Sequence, residues 1–538
     1  MARVIHIGAV FAATLGISMG AAAQHEHHAG ALGTVHFETT CKPAVTASFD
    51  RAVALLHSFE FGSAIAGFKT VLQTDPSCGM AYWGIALSSW NNPFAGLKSP
   101  AFLAAGSDAA RQAQSTGSPS PREKAFIDAV AELYRDLDKV PQRTRTLAYE
   151  KAMEKAAADF PADTEARVFY ALALAQNALP TDKTFANQLK ATAILEPLFR
   201  QYPDHPGLAH YIIHAYDQPA LASRALDAAR NYSKIAPDAP HALHMPSHTF
   251  TRVGAWADSI ATNNASAESA MKLGCYAEVL HAMDYQVYAY LQTAQDGAAR
   301  AVRDRLPAIA RVFDPAAVCG AAPGSAGLFA LAVIPARYAL ERGDWTAAAA
   351  LEPRATSFAW VDAQARFARA LGAARVGRAD AARADIEQLT ALRDKLTAGN
   401  DAYWATQVDI QRRVAEAWVA YASGQREDAL TQLTAAADAE DATDKSAVTP
   451  GPLAPARELL GDMLFDAGRP ADALRAYEAT MAKEPNRFRA VYGAASAAAA
   501  AGNRDRAAQH YRELIEICKS SDTERPELKQ ARAFIGNR

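Results

Sequence analysis

Six of the fourteen histidines fall between residues 205 and 248: His205, His210, His214, His241, His244 and His248. Two pairs, His210/His214 and His244/His248, are spaced four apart, which on an α-helix puts both imidazoles of a pair on one face. The second pair follows the first by 34 residues, so one local arrangement occurs twice. Neutral imidazole is a ligand for Cu, Zn, Fe and Ni, and a nitrogen set without cysteine leans away from a closed thiolate zinc site. Five or six histidines exceed what one tetrahedral ion needs, which brings a two-ion site into view, or one ion with histidines left for acid–base work. No other chemistry competes strongly. The chain has no GxGxxG or GxxxxGK[ST] before a helix, no GxSxG elbow and no HExxH.

The elements that must position these residues read as helices in pairs. Ala64, Phe68 and Pro76 supply a small residue, an aromatic and a terminating proline at successive places of one helix–turn–helix unit. Clean 34-residue frames run from Pro206 to Ala239 and from Pro240 to Leu273, with Gly254 as the turn glycine of the second. Glycine followed five residues later by alanine recurs at Gly343/Ala348, Gly377/Ala382, Gly424/Ala429, Gly468/Ala473 and Gly502/Ala507, and Tyr477 and Tyr511 are again 34 apart. On these residues the chain resembles the tetratricopeptide repeat (TPR) superfamily, and HYIIHAYDQP with PHALHMPSHTF resembles exported bacterial TPR proteins.

The resemblance implies an all-α, right-handed helix–turn–helix solenoid. It also implies that positions 2, 5 and 9 of each repeat point into the concave groove. His241 falls at position 2, His210 and His244 at position 5, and His214 and His248 at position 9; His281, framed at position 2 of the next repeat, joins them. Asp217, Glu278, Asp284 and Tyr285 stand nearby in sequence as supporting or bridging groups. Pro246, inside a predicted helix between His244 and His248, should kink it. His57, far along the chain, reads as structural or at the groove edge.

The first 23 residues, one arginine followed by a short apolar run and Ala-Ala-Ala, fit a secretory signal cleaved near Ala23. Residues 24–44, opening QHEHHAG with His25, His27 and His28, read as a flexible arm. Residues 45–306 form an N-terminal TPR-like region, 307–327 a break and 328–538 a C-terminal array. Residues 91–122 read as a partly helical excursion over the solenoid mouth, and the acidic stretch around 435–452 as a loop. No later apolar run is long enough to cross a bilayer. Export permits disulfides, and Cys41–Cys78 is the first candidate, with Cys275, Cys319 and Cys518 read as thiols. A balance of 55 basic and 58 acidic residues, with no basic cluster, speaks against nucleic acid.

Two functions follow. The histidine-lined groove binds a transition metal, in the order Cu, Zn, Fe, and stores it, presents it or uses it on a small substrate. Alternatively, the groove of a periplasmic or secreted scaffold holds an extended peptide or partner protein without metal.

Overall fold

The computed structural model describes residues 31–116 and 120–536. The expected signal segment and His25, His27 and His28 lie outside the described residues. Among the described residues every regular element is helical. The helices that matter for the site are α1 (Thr46–His57), α2 (Phe61–Thr74), α3 (Gly79–Trp90), α4 (Pro100–Thr116), α5 (Pro206–Ala215), α6 (Pro240–His244), α7 (Pro246–Arg252), α8 (Trp256–Lys272), α9 (Tyr276–Gln292) and α10 (Gly324–Leu340). Successive helices pack against one another along the chain, the all-α TPR-type solenoid that the 34-residue period implies.

The repeat signature works through packing. Ala64 and Phe68 are both fully buried on α2, the alanine admitting close approach and the ring filling the space between helices. In the second clean frame Pro246 splits what the period predicts as one helix. With no N–H to donate, it leaves Met245 at the junction of α6 and α7, and the two short helices run on through it with helical backbone. Gly254 then turns the chain at φ +68°, and a Cβ there would stand 2.6 Å from the carbonyl oxygen of Pro485. Gly254→Ala should therefore cost about 2 kcal/mol, read as a lower urea midpoint with an unchanged m-value.

That contact is one of several by which the last repeats return onto the middle of the chain. Trp256 donates from Nε1 to the Asn486 carbonyl at 2.8 Å, and Gln292 Oε1 accepts the Phe488 N–H. Buried Arg487 pairs with Glu458 and Glu341 and donates to the Tyr288 hydroxyl.

Two sequence expectations need correction. Residues 31–44 are not the end of a flexible arm: Phe37 is 1% exposed, wedged among Phe49, Trp83 and Phe126, because an aromatic there completes an apolar core that the helices leave open. Cys41 and Cys78 are bonded as expected, but Cys275 and Cys319 are bonded as well, leaving Cys518 as the free cysteine. The Cys275–Cys319 bond fixes the irregular stretch before α10 to the start of α9. Its neighbours then reach inward: Ala322 donates its N–H to Glu278, and the Cys319 carbonyl accepts the Gly62 N–H.

Candidate metal centre

All six expected ligands come together, but not in an open groove. His210 and His244 are fully buried, and His214, the most exposed of the six, retains 9%. They form two triads. His210, His214 and His241 make one, and His244, His248 and His281 the other, with one ligand atom of each member lying within 4.8 Å of the others. The triads adjoin, with ring centroids 5.9 Å apart for His241 and His244 and 6.1 Å for His214 and His248.

The spacing of the sequence does the positioning. One turn of α5 stacks His210 over His214, the α6–α7 pair does the same for His244 and His248, and His241 and His281 enter from neighbouring turns. Supporting hydrogen bonds then select the nitrogen that faces inward. His210 donates from Nδ1 to the His57 carbonyl at 2.6 Å, leaving Nε2 toward His241 Nε2 at 3.1 Å. His244 donates from Nδ1 to Asn263 Oδ1 at 2.7 Å; the Asn263 amide is fixed because its Nδ2 donates to the Ser259 carbonyl. His248 donates from Nδ1 to Asp217 at 2.9 Å.

His244 and His248 consequently turn two Nε2 lone pairs toward each other at 3.2 Å, with the Tyr285 hydroxyl at the edge of the pair, 3.3 Å from His248 Nε2. Lone pairs at that distance repel unless a cation lies between them. A proton is disfavoured, since burial, reinforced by neighbouring imidazoles, holds His244 well below the usual histidine range, and burial lowers His248 despite its Asp217 partner. Ligands at 2.0–2.1 Å from a tetrahedral ion stand about 3.3 Å apart. The two observed Nε2 pairs match that edge. In the first triad His241 Nε2–H can donate to His210, so the conflict is milder there. His241 Nδ1 and His214 Nε2 nevertheless remain buried without a partner.

Two carboxyl groups back the first triad. Glu60 accepts the His241 backbone N–H at 3.1 Å, and Glu278 holds one oxygen on Ala322 and leaves the other unpartnered, 4.0 Å from His241 Nδ1. Burial, with the Glu278 charge adding to it, pushes Glu60 up to about 8, and burial pushes Glu278 up to about 7. Behind the second triad, Asp217 also receives Arg252 Nε at 2.8 Å and Lys445 Nζ at 3.4 Å. Burial opposes its ionisation, but the charges of Lys445 and Arg252 outweigh that and hold its carboxyl well below the usual range.

The supporting residues expected from sequence fare unequally. Asp217 and Glu278 lie against the histidines. The Tyr285 hydroxyl stands 3.3 Å from His248 Nε2, although it also reaches the Ala447 and Thr449 carbonyls. Asp284 does not reach an imidazole: one turn further along α9, its carboxylate is taken by Arg337 at 2.6 Å. His57 sets Nε2 on Glu165 and Nδ1 on the Tyr211 hydroxyl, both at 2.9 Å, and with Glu165 and His205 makes a further buried cluster whose ligand atoms lie within 4.8 Å of one another. Glu165 also takes His205 Nε2 at 2.9 Å.

Similarity to known proteins adds little to this geometry. No family model matches the chain, and no curated protein matches it. Among solved structures, it is similar to the TPR domain of P58(IPK), at 14% identity over 69% of this chain and 98% of that one, with a TM-score of 0.21. It is also similar to the Cut9–Hcn1 hetero-tetramer of the APC/C, at 9% identity over 91% of this chain and 89% of that one, with a TM-score of 0.33. At that distance the site has to be read from its own atoms.

Several site residues gave no sequence signal. Phe59 packs against His210, His214 and His241 from a backbone at φ +55°, a conformation costly for a large side chain and found where the surroundings enforce it. Phe94 stacks on His214 at 4.1 Å from the Asn-Asn-Pro turn between α3 and α4, so the excursion does touch the site. Asn263, Arg252 and Lys445 are ordinary polar residues until the fold is known.

Proposed function

We propose that the two triads bind transition-metal ions, one each, making this a metal-binding helical-repeat protein. The observation that carries the reading is the facing pair of inward Nε2 lone pairs of His244 and His248, each committed to that role by a donated Nδ1–H. Copper, zinc and iron suit an all-imidazole set, in that order of preference for an oxidising compartment. Two disulfides and the leader-like first 23 residues support export to the periplasm or beyond. Three imidazoles per ion is the ligand count of centres that keep a coordination position free for water or a small substrate, which favours a reactive centre over plain storage. Closed burial of the rings speaks against an extended peptide lying on them. A partner protein, as helical repeats commonly take, would use another surface.

Metal analysis of untagged protein should return about two ions per chain. His244→Ala/His248→Ala should lose one of them, and His210→Ala/His241→Ala the other. A folded protein that takes up none of copper, zinc or iron ends the proposal.

A further inference from the structure

His57 ends α1, Glu165 lies on the first turn of the helix Thr164–Gln176 and His205 precedes α5, and all three side chains are buried together. One Glu165 oxygen meets His57 Nε2 and the other meets His205 Nε2, each at 2.9 Å, with the two rings 4.8 Å apart. The surroundings fix the arrangement. Asp163 caps the turn that carries Glu165, and His57 stacks on Phe169 at 4.8 Å. Gly207 brings α5 so close that a Cβ there would stand 2.5 Å from His57 Nδ1.

The charge of this cluster differs from that of other buried carboxylates. Asp217 has Arg252 and Lys445, Asp284 has Arg337, and Glu458 has Arg487. Among the described residues the ion-pair partners of Glu165 are the two imidazoles. Burial opposes its charge, yet His57 and His205 hold its carboxyl below the usual range, while burial lowers His57 in spite of that carboxylate. Neither imidazole is bound to keep its proton on Nε2. His57 can move it to Nδ1, where the Tyr211 hydroxyl oxygen accepts it, and no partner commits His205 Nδ1. Both Nε2 lone pairs would then face an anionic carboxylate, which is a seat for a cation.

Two imidazoles and one carboxylate are a ligand set of divalent zinc and iron centres. Adjacent ligands at about 2.1 Å from one ion stand about 3 Å apart, near the 2.9 Å between each Nε2 and its Glu165 oxygen. We propose that His57, Glu165 and His205 bind a third divalent ion, zinc or iron(II), which ties α1, α5 and the helix Thr164–Gln176 together. It is separate from the triads, although His57 serves both places, since its carbonyl receives His210 Nδ1. The ion has to replace two hydrogen bonds to Glu165, so it is held more weakly than the ions of the triads and leaves during purification.

Zinc added back to purified protein in competition with a chromophoric chelator tests this. One further equivalent should bind, with a rise in melting temperature. His205→Asn puts a favoured capping residue at the start of α5 and should fold, keep the ions of the triads, and lose both the extra equivalent and the thermal shift. Glu165→Gln, close to isosteric, should do the same. The proposal is overturned if wild type binds nothing beyond the ions that the triad variants remove. It is equally overturned if folded His205→Asn binds as much zinc as wild type, since the extra ion would then sit elsewhere, as on His25, His27 and His28. Should the triads prove empty, zinc uptake abolished by His205→Asn still supports this site, so the two readings fail separately.

Discussion

Asp217→Asn is expected to destabilise the protein by about 3–5 kcal/mol and to weaken metal binding by roughly ten- to a hundredfold. The two effects have separate causes. Asp217 is the shared counter-charge of Arg252 and Lys445, both nearly fully buried, and an amide of the same shape leaves two cations facing each other in a low-dielectric interior. The same carboxylate fixes the His248 tautomer through Nδ1, and an asparagine that turns its NH2 group inward would invite the opposite tautomer and block the inward lone pair. Chemical denaturation of metal-free protein reads the first effect, and competition with a chelator reads the second. A loss of stability under 1 kcal/mol would mean the charges are hydrated and the compact arrangement around Asp217 is wrong.

In metal-free protein the ionisable groups of the centre pull stability in two directions, and their net contribution should drop steeply as pH falls below 6.5. Glu60 and Glu278 are raised, to about 8 and about 7, so the stability they contribute is present at low pH and is lost as pH rises through those values. The histidines run the other way. His210 and His281 are lowered by burial from 6.5 to about 3, so below 6.5 the unfolded chain takes up protons that the folded chain refuses. At pH 4.5 each should cost about 3 kcal/mol. Within the centre itself, six lowered imidazoles outweigh the raised Glu60 and Glu278, so its contribution falls as pH drops. Carboxylates with lowered values, Asp217 among them, act only below this window. His210→Gln/His281→Gln should flatten this fall in urea titrations between pH 7 and 4.5; an unchanged slope would show that those rings are solvated.

The comparison of sequence with structure divides along a physical line. Periodicity is local, so the 34-residue frames, the role of Phe68 and the one-face pairing of His210 with His214 and of His244 with His248 could be read from spacing alone. The convergence of His281 also followed, because the repeat carries its own register from one unit to the next. What escaped were contacts that no period encodes. Lys445 and Phe94 come from segments that interrupt the repeat, and Phe59 occupies a turn whose left-handed backbone would ordinarily suggest glycine. Asp284 was misplaced for a subtler reason: proximity in sequence to His281 says nothing about direction, and one helical turn carries its carboxylate to Arg337 instead. Burial was missed as well. A groove position in an open superhelix is wet, but here the 443–455 loop folds over α9 beside the second triad.

That return has a bearing on biogenesis. Asp217 and Lys445 are separated by 228 residues, and the Tyr285 hydroxyl leans on carbonyls that lie over 160 positions downstream. A ribosome has made every histidine of both triads long before it makes the loop that finishes their surroundings. Nascent or truncated chains ending before that loop therefore hold the ligands but not their cover, which makes completion of the centre a late checkpoint in the life of the polypeptide.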